Sequence, residues 1–301
     1  MTADSSISKI RKPDMDASTR GGIVDGVACM LILLLLGSPA AAQEDAKKSN
    51  YLTDIALCNG TDHASLEARV NGCTALIASG HGKTAALAIA YNNRGNAYAA
   101  KGDYDRAIQD FDQSIQLNPT YVKAFNNRGA AYLKKGEYDL AIKALDGAIQ
   151  LNPSYGSAFA NRARAYMKKH EYDRAARDYD EAIRLEPDLE AVWSGRCWTQ
   201  AILGALEAAL EDCNKALQLA SNNAATYDSR GLIYLKMGKF DAAIDDYSSA
   251  LQLDPKLASA LYGRGLARLK TGDKAGSNAD IASAKTIQVK IGSDFTRYGV
   301  R

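Results

Sequence analysis

The chain has 301 residues, of which 47% are hydrophobic and 24% are charged, so its composition is neither that of a disordered chain nor that of a simple fibre. The formal net charge is only +2, from 37 basic and 35 acidic residues shared evenly along the chain. This balance provides no broad basic face and argues against a nucleic-acid-binding protein.

The first feature along the chain is an apolar run over residues 27–37, which is too short to cross a bilayer that requires about 20 apolar residues. Basic residues precede the run, and the small residues Ala40 and Ala42 follow it. This pattern predicts a secretory signal peptide over residues 1–42, cleaved after Ala42, and a mature protein that is periplasmic or secreted. A buried core helix and a retained membrane anchor are the alternatives, and Met15 is an alternative start.

If the signal peptide is removed, the mature chain keeps four cysteines, Cys58, Cys73, Cys197 and Cys213. An even number of cysteines in an oxidising compartment predicts disulfide bonds, and four cysteines allow three pairings. Free buried thiols are the alternative. A zinc site made by Cys58, His63 and Cys73 is disfavoured, because the spacing does not match a closed tetrahedral ligand set well.

From residue 88 onwards, the chain is organised by an internal repeat of 34 residues. The segment GDYDRAIQDFDQSIQLNP (102–119) returns as GEYDLAIKALDGAIQLNP (136–153), and related segments follow at the same period. Each of them comes after a helix-like stretch, of which YNNRGNAY (91–98) is the first. The chain is therefore largely one structural unit repeated in tandem.

The spacing of apolar residues predicts that each unit is a pair of helices. In the first unit Tyr91, Gly95 and Tyr98 fall at i, i+4 and i+7, which is the spacing of one helical face. Gly102 can end this helix in the left-handed conformation, and Pro119 cannot continue the second helix. Because such a pair cannot bury its own apolar face, the units are expected to stack into a solenoid.

This pattern resembles the tetratricopeptide repeat family. Four kinds of residue recur at fixed places in most units: an aromatic residue at 91, 125, 159, 193 and 227, glycine at 95, 129, 231 and 265, alanine at 107, 141, 175, 209 and 243, and proline at 119, 153, 187 and 255. The resemblance implies an all-α fold, a right-handed α-solenoid of six tandem 34-residue helix-turn-helix repeats with an N-terminal capping helix. The six units are residues 88–121, 122–155, 156–189, 190–223, 224–257 and 258–291.

Segments on both sides of the repeats complete the predicted organisation. Residues 43–87 form an N-terminal segment, in which residues 64–80 indicate a lone capping helix of the second type. Residues 292–301 form a C-terminal tail, whose Phe295 and Tyr298 are expected to cover the exposed end of the last repeat. Terminal caps of this kind are required because the end units of a solenoid have one unpacked face.

The repeat register also favours one pairing of the cysteines. In the fourth unit Cys197 takes the place of Gly95, and Cys213 takes the place of Phe111. These two places face each other across the helix pair in the family. The resemblance therefore implies a Cys197–Cys213 disulfide, with the remaining two cysteines joining the N-terminal segment to the capping helix.

One arginine recurs in every unit, within the apolar stripe of the first helix. The six arginines are Arg94, Arg128, Arg162, Arg196, Arg230 and Arg264. Five units have an aspartate at one place of the second helix, namely Asp110, Asp178, Asp212, Asp246 and Asp280. A charge at a helix seam requires a partner, so the register predicts a structural ladder of Arg–Asp ion pairs, with direct ligand contact as the alternative. The second unit has Ala144 instead, which leaves Arg128 unpaired if pairing is within a unit and Arg162 unpaired if it runs to the next.

The concave surface of the family, formed mainly by the first helices, implies a groove for an extended or helical peptide. The early units contribute a polar set that is expected to be the more exposed: Asn92, Asn96, Lys123, Asn126 and Lys134. The later units contribute an apolar set: Trp198, Leu232, Leu235, Tyr262, Leu266 and Leu269. Asparagine can hydrogen-bond both backbone groups of a peptide. Trp198 is either a ligand anchor or a packing residue.

Co-chaperone repeats of this family grip a terminal carboxylate with three cations and two asparagines. At the corresponding places this chain has the matching residues Asn96 and Asn127, whereas Asn92, Ser157 and Asn161 replace the cations. Without the cations a carboxylate loses its charge-assisted hydrogen bonds, so this clamp is not expected here.

The sequence contains no phosphate loop, dinucleotide-binding glycine motif, nucleophile elbow or metal-binding histidine pair. We therefore expect no enzymatic activity, no cofactor, no metal and no small-molecule substrate. The leading hypothesis is a non-enzymatic scaffold of the bacterial envelope that binds a protein or peptide client in its concave groove. A self-associating structural protein, and hence a homo-oligomer, is one alternative. An accessory subunit of an envelope enzyme or secretion complex is another.

Overall fold

The computed structural model describes residues 39–60, 64–80 and 83–300. Most of the predicted signal peptide, including Met15, lies outside these residues, and so does His63. No helix in the described part of the chain is long and apolar enough to cross a membrane.

The described residues form fifteen helices and no strand. In chain order they are α1 (Pro39–Asn59), α2 (Leu66–Ser79), α3 (Thr84–Ala100), α4 (Tyr104–Leu117), α5 (Val122–Lys135), α6 (Tyr138–Leu151), α7 (Gly156–Lys168), α8 (Tyr172–Leu185), α9 (Glu190–Leu203), α10 (Leu206–Leu219), α11 (Ala224–Lys236), α12 (Phe240–Leu253), α13 (Ala258–Thr271), α14 (Lys274–Ile287) and α15 (Ile291–Arg297). The chain divides into two compact parts between Asn50 and Tyr51, within α1. Of the part that precedes Tyr51, only the beginning of α1 is described.

From α3 onwards the helices form six successive pairs, units 1 to 6, from α3–α4 to α13–α14, and the predicted all-α solenoid of tandem repeats is confirmed. The first helix of each unit packs against the second, and the second packs against the first helix of the next unit. First helices also contact one another from unit to unit, so they form one continuous layer. This layer presents the surface on which the candidate site lies.

Glycine lets the two helices of a unit approach closely. A Cβ atom added to Gly95 would lie 2.7 Å from Cε1 of Phe111, and one added to Gly231 would lie 2.9 Å from Cδ1 of Tyr247. Both rings are fully buried. Burial of a ring of this size removes 150 Å² or more from water, at roughly 25 cal/mol per Å². The glycine–ring contact is therefore a main source of stability within these two units.

Two disulfide bonds join neighbouring helices. Cys58–Cys73 connects α1 to α2, with 4.5 Å between the Cα atoms, and Cys197–Cys213 connects α9 to α10, with 5.3 Å. In unit 4 the second disulfide stands where units 1 and 5 have the glycine–ring contact. In unit 4 the covalent bond thus holds the two helices together in place of that contact.

The predicted capping helix corresponds to α2, but this helix is not alone. It packs closely against α1, since a Cβ atom added to Gly72 would lie 2.7 Å from Cβ of Leu57. Helix α1 was not predicted, because polar and apolar residues are mixed in its sequence PAAAQEDAKKSNYLTDIALCN and form no apolar stripe. The N-terminal cap is therefore a helix pair held by a disulfide.

Candidate functional site

The six repeat arginines lie at the seam between helices, where their side chains are 17–21% exposed. In five units Nε and Nη2 donate to the two carboxylate oxygens of the aspartate 16 residues later, over 2.6–2.8 Å. The hydrogen bonds that Arg162 donates to Asp178 raise the pKa of the guanidinium above its usual value. Arg162 therefore stays charged at any pH at which the chain is folded.

Each arginine also contacts the helix that precedes its own. Nη1 of Arg162 donates to Oδ1 of Asp146 at 2.6 Å, so one guanidinium joins α6, α7 and α8. The equivalent acceptors elsewhere are Thr74, Asp112, Asp180, Asn214 and Ser248. This second set of partners was not identified from the sequence, although polar residues recur at 112, 146, 180, 214 and 248.

Aromatic rings complete the enclosure of the arginines. In units 1 to 5 the guanidinium carbon lies 5.2–5.7 Å from the centroid of the ring three residues earlier. Such cation–π contacts contribute roughly 0.5–1 kcal/mol at exposed sites and more when desolvated. The repeat arginines are thus held at the helix seam by the aspartate of their own unit, which only Arg128 lacks, by a polar side chain of the preceding helix and, in units 1 to 5, by a ring.

Arg128 differs from the other arginines because Ala144 stands where they have an aspartate. Its Nη1 donates to Oδ1 of Asp112 at 2.6 Å, but its Nε is buried without a hydrogen-bond partner. Arg162, in contrast, has its aspartate within its own unit. The structure thus places the buried ion pairs within units and leaves the gap at Arg128.

A chain of asparagine side chains runs along the first helices of units 1 to 3. Each amide nitrogen donates to the next amide oxygen: Asn161 to Asn126 at 3.0 Å, Asn126 to Asn127 at 3.3 Å, Asn127 to Asn92 at 3.0 Å, Asn92 to Asn93 at 3.4 Å, and Asn93 to Asn59 at 3.2 Å. Six amides from α1, α3, α5 and α7 are therefore joined in one direction. Networks of this kind fix the register of the elements that they connect.

The expectation that Asn92 and Asn126 are exposed groove residues is corrected by their burial, with exposed fractions of only 2% and 7%. The reason is the close approach of consecutive first helices, which places Asn92 against Asn127 of the next unit. Because they are buried, their amides are closed to a ligand. Asn127 and Asn161, one place further along their helices, are only half-buried.

A cleft of about 640 Å³ opens beside this chain, lined mainly by α3, α5 and α7. Three half-buried asparagines line it, Asn96, Asn127 and Asn161. The rings of Tyr104 and Tyr138 form part of its wall. Its lining therefore combines amides that can donate and accept with apolar surface, which is the composition of a site for a peptide segment.

Four cations and no carboxylate line the cleft. Lys135 is paired with two carboxylates of neighbouring turns, at 2.7 Å each. Lys134, Arg164 and Lys168 are exposed and form no salt bridge within the described ranges. Lys123 is also exposed but is not among the residues that line the cleft. The cleft thus presents three uncompensated positive charges.

Of the predicted polar set, Asn96 and Lys134 line the cleft. Arg164 and Lys168 were missed as groove residues. Lys168 stands at the repeat place of Lys134 and Arg164 at that of Leu232, two predicted groove residues, so the repeat register could have identified them. The three cations stand at places other than those of the co-chaperone clamp.

The predicted apolar set is mostly enclosed. Leu232 and Leu235 are only 1% and 7% exposed, so the expectation that they line an open groove is corrected. They belong to a core cluster that includes residues of the next first helix, α13. Leu266 is half-buried against the same cluster, and Leu269 remains 47% exposed.

The C-terminal tail covers the remaining members of this set. Phe295 packs against Tyr262, with 4.9 Å between ring centroids, and Tyr298 meets Trp198 edge-on at 5.0 Å. The tail was expected to cover the end of the last repeat, but Tyr298 reaches back to α9 of unit 4. Trp198 and Tyr262 thus contact a peptide segment, which is the tail of the same chain.

A buried carboxyl group lies in α11, close to this tail. Oδ2 of Asp228 accepts a hydrogen bond from Oγ of Ser259 at 2.7 Å, and its Oδ1 is buried without a partner. The hydroxyl of Tyr247 is also buried without a partner. Burial raises the pKa of Asp228 to about 7, and the hydrogen bond from Ser259 opposes this only in part.

Asp228 predicts a pH-dependent stability. Because its folded pKa, about 7, exceeds the usual value of about 3.9 for an unfolded chain, the folded state binds the proton more tightly. The cost of ionising Asp228 is absent below about pH 4, grows as the pH rises, and is complete above about pH 7. Asp228→Asn is therefore expected to raise the free energy of unfolding by up to about 4 kcal/mol near pH 8 and to change it little near pH 4. Urea unfolding at both pH values measures this, and equal effects of the substitution at both would contradict it.

No group of three histidine, cysteine, aspartate or glutamate side chains among residues 39–60, 64–80 and 83–300 is placed to hold a metal ion.

Comparisons with known proteins agree with this architecture. A family model described as "TPR repeat" matches residues 95–136 and 231–272, and one described as "Tetratricopeptide repeat" matches residues 122–155 and 156–189. None of the curated protein sequences compared with the chain is significantly similar to it.

Several solved structures share the fold. A tetratricopeptide repeat protein from Parabacteroides merdae is 17% identical, with a TM-score of 0.62, over 83% of this chain and 99% of that protein. The pilF protein of Pseudomonas aeruginosa is 16% identical, with a TM-score of 0.60, over 69% of this chain and 96% of that one. A chain of the APC/C hetero-tetramer Cut9–Hcn1 is 18% identical, with a TM-score of 0.63, over 81% of this chain and 51% of that one. At these identities the likeness concerns the fold alone.

Proposed function

Because this chain belongs to the tetratricopeptide repeat family, we propose that it is a non-enzymatic scaffold that binds a segment of a protein client in the cleft of units 1 to 3. The observation that carries the proposal is the lining of that cleft, which combines half-buried asparagines with three unpaired cations and has no carboxylate. A surface of this kind is complementary to an extended segment that carries negative charge.

The asparagines and the cations have different tasks in this proposal. The amides of Asn96, Asn127 and Asn161 are spaced along three successive first helices and can bind the backbone of a client. Lys134, Arg164 and Lys168 bind its carboxylates by charge-assisted hydrogen bonds. The buried amides of Asn92 and Asn126 hold the three helices in register, so the exposed amides are preorganised.

We further propose that the protein acts in the bacterial envelope, after export. Two disulfide bonds support this, because disulfides persist in oxidising compartments and are rare in the cytosol. The apolar run at residues 27–37, followed by small residues, supports it independently. Mass spectrometry of the protein from an envelope fraction, under non-reducing conditions, tests both points. The mass of the mature chain identifies its N-terminus, and the absence of four free thiol groups shows the two disulfides.

The charge of the cleft predicts which peptides bind. In fluorescence anisotropy with pools of labelled random peptides, an acidic pool is expected to bind and a basic pool of the same length is not. Replacing Arg164 and Lys168 together by glutamine is expected to weaken the acidic pool's binding about a hundredfold, since each of the two lost charge-assisted hydrogen bonds costs about 1.5 kcal/mol.

A matched control removes two positive charges elsewhere. Lys143→Gln with Arg177→Gln changes exposed residues of α6 and α8 that do not line the cleft. This variant is expected to bind the acidic pool as well as the unaltered protein does. Equal weakening by both double variants would mean that net charge, and not the cleft, governs binding.

A further inference from the structure

Residues 291–300, which comprise α15 and the rest of the described C-terminal tail and are called the tail below, lie over the apolar part of the first-helix layer. Phe295 is only 3% exposed and packs on Tyr262 of α13. Tyr298 packs on Trp198 of α9, two units away. Both Tyr298 and Val300 contact the core cluster that contains the leucines of α11. The tail therefore follows the groove across units 6, 5 and 4.

A polar contact extends the tail as far as unit 3. Nη1 of Arg297 lies 3.4 Å from Nε2 of His170, in the turn between α7 and α8. His170 has a positive φ of 62°, which directs the turn in the place where other units have glycine. The basic residue of the tail is thus placed at the border between the apolar surface and the polar cleft.

The tail has the form of a peptide ligand. Phe295 and Tyr298 are three residues apart and point from one face of the short segment towards the groove. Thr296 and Arg297, between them, are exposed. Gly299, with φ of 82°, and the hydrogen bond from the amide of Val300 to the carbonyl of Phe295, at 3.0 Å, close the segment on itself.

The contacts between the tail and the repeats are of a kind that permits the tail to detach. All main-chain hydrogen bonds of residues 291–300 outside α15 join residues between Gln288 and Val300. Contact with the repeats is through side chains, including two ring pairs, the buried Ile291 and the Arg297–His170 contact. Detachment would break no main-chain hydrogen bond between the tail and the repeats. It would uncover Trp198 and Tyr262, which are the kind of aromatic anchors that dominate binding surfaces.

We propose that units 4 to 6 form a second peptide-binding site, that the tail is its internal ligand, and that a client with two aromatic residues three apart displaces it. The site takes a segment of this chemistry because Phe295 and Tyr298 already fill it in that spacing. Its specificity differs from that of the cleft, which takes negative charge. This proposal does not depend on the function proposed for the cleft.

A labelled peptide of residues 289–300 tests the proposal in the full chain. The unaltered protein is expected to bind the peptide at least tenfold more weakly than the variant Phe295→Ala with Tyr298→Ala, in which the tail is released. Adding Trp198→Ala to this variant is expected to abolish binding. A peptide with alanine at both aromatic places is the matched control and is expected not to bind. Equal binding to the unaltered and released proteins, or no binding to a released protein that circular dichroism shows to be folded, would overturn the proposal.

Hydrogen exchange of the unaltered protein provides a test that needs no variant. The amides of Tyr298 and Val300 are expected to exchange much faster than those at the centre of α13, because the tail opens while the repeats stay folded. Equal protection in the tail and in α13 would make the tail a permanent part of the core and overturn the proposal. Sedimentation is expected to give a monomer, and a dimer held by exchanged tails would equally contradict an internal ligand.

Discussion

Asp178→Ala is expected to lower the free energy of unfolding by about 3 kcal/mol. The substitution removes both acceptors of Nε and Nη2 of Arg162, which donate to Asp178 at 2.8 Å each, and leaves a charged group in a seam where it is 19% exposed. The cost is at the lower end of the range for a broken buried pair, since Arg162 keeps its contact with Asp146. Urea unfolding followed by circular dichroism measures it.

The same arginine supplies a matched control. Asp146 also pairs with Arg162, at 2.6 Å, but its side chain is 53% exposed, against 9% for Asp178. Asp146→Ala is therefore expected to cost 1 kcal/mol or less, as exposed ion pairs do, roughly a third of the effect at Asp178. Equal costs at the two positions would show that the buried Arg162–Asp178 ion pair stabilises the chain no more than the exposed Arg162–Asp146 pair does.

Unit 2 allows the reverse experiment. Nε of Arg128 is buried without a partner, and Ala144 occupies the place where five other units have an aspartate. Ala144→Asp supplies this partner in a backbone that accommodates aspartate elsewhere, and is expected to raise the free energy of unfolding by about 1 kcal/mol. Ala144→Leu, which adds volume without an acceptor, is expected to destabilise the unit.

Removal of the Cys197–Cys213 disulfide is expected to cost about 3 kcal/mol. The two residues are 16 apart in sequence, and the cross-link restricts the unfolded chain to a loop of about this length. Cys197→Ala with Cys213→Ala also leaves the seam of unit 4 without the ring that fills it in unit 1. Urea unfolding of this double variant measures the loss, and reduction of the unaltered protein provides a second route to it.

A second double variant separates the contribution of the covalent bond to stability from the contribution of the buried volume that the two side chains fill. Cys197→Gly with Cys213→Phe recreates the Gly95–Phe111 contact of unit 1 at the same repeat places. It is expected to recover about half of the stability lost in the alanine variant, because the ring is buried again while the cross-link stays absent. No recovery would mean that the disulfide fixes a helix separation that glycine and phenylalanine do not reproduce.

The repeated helix pairs were predictable from the sequence because their signals recur six times at one period. Gly95 and Phe111 alone would have been ambiguous, whereas the same pattern in successive units fixes which helix faces which. The Arg–Asp register follows from the same period, since Asp110 and its equivalents stand 16 residues after the arginines.

What the sequence did not indicate depends on contacts between units or with the ends of the chain. The burial of Asn92 follows from the approach of α5, which no pattern within unit 1 reveals. Leu232 is enclosed by the next first helix for the same reason. The tail lacks a repeat to define its register, so the meeting of Tyr298 with Trp198, 100 residues earlier, had no sequence signal.

Site-specific photocrosslinking in cells tests the central claim, that the cleft of units 1 to 3 holds the client. A photoreactive residue at Asn127, within the cleft, is compared with one at Lys143, which is exposed on α6 of the same unit and outside the cleft. We predict adducts with a discrete partner from position 127, lost when Arg164 and Lys168 are both glutamine, and none from position 143. The same adducts from both positions, or adducts from position 127 that survive removal of the two cations, would contradict the account.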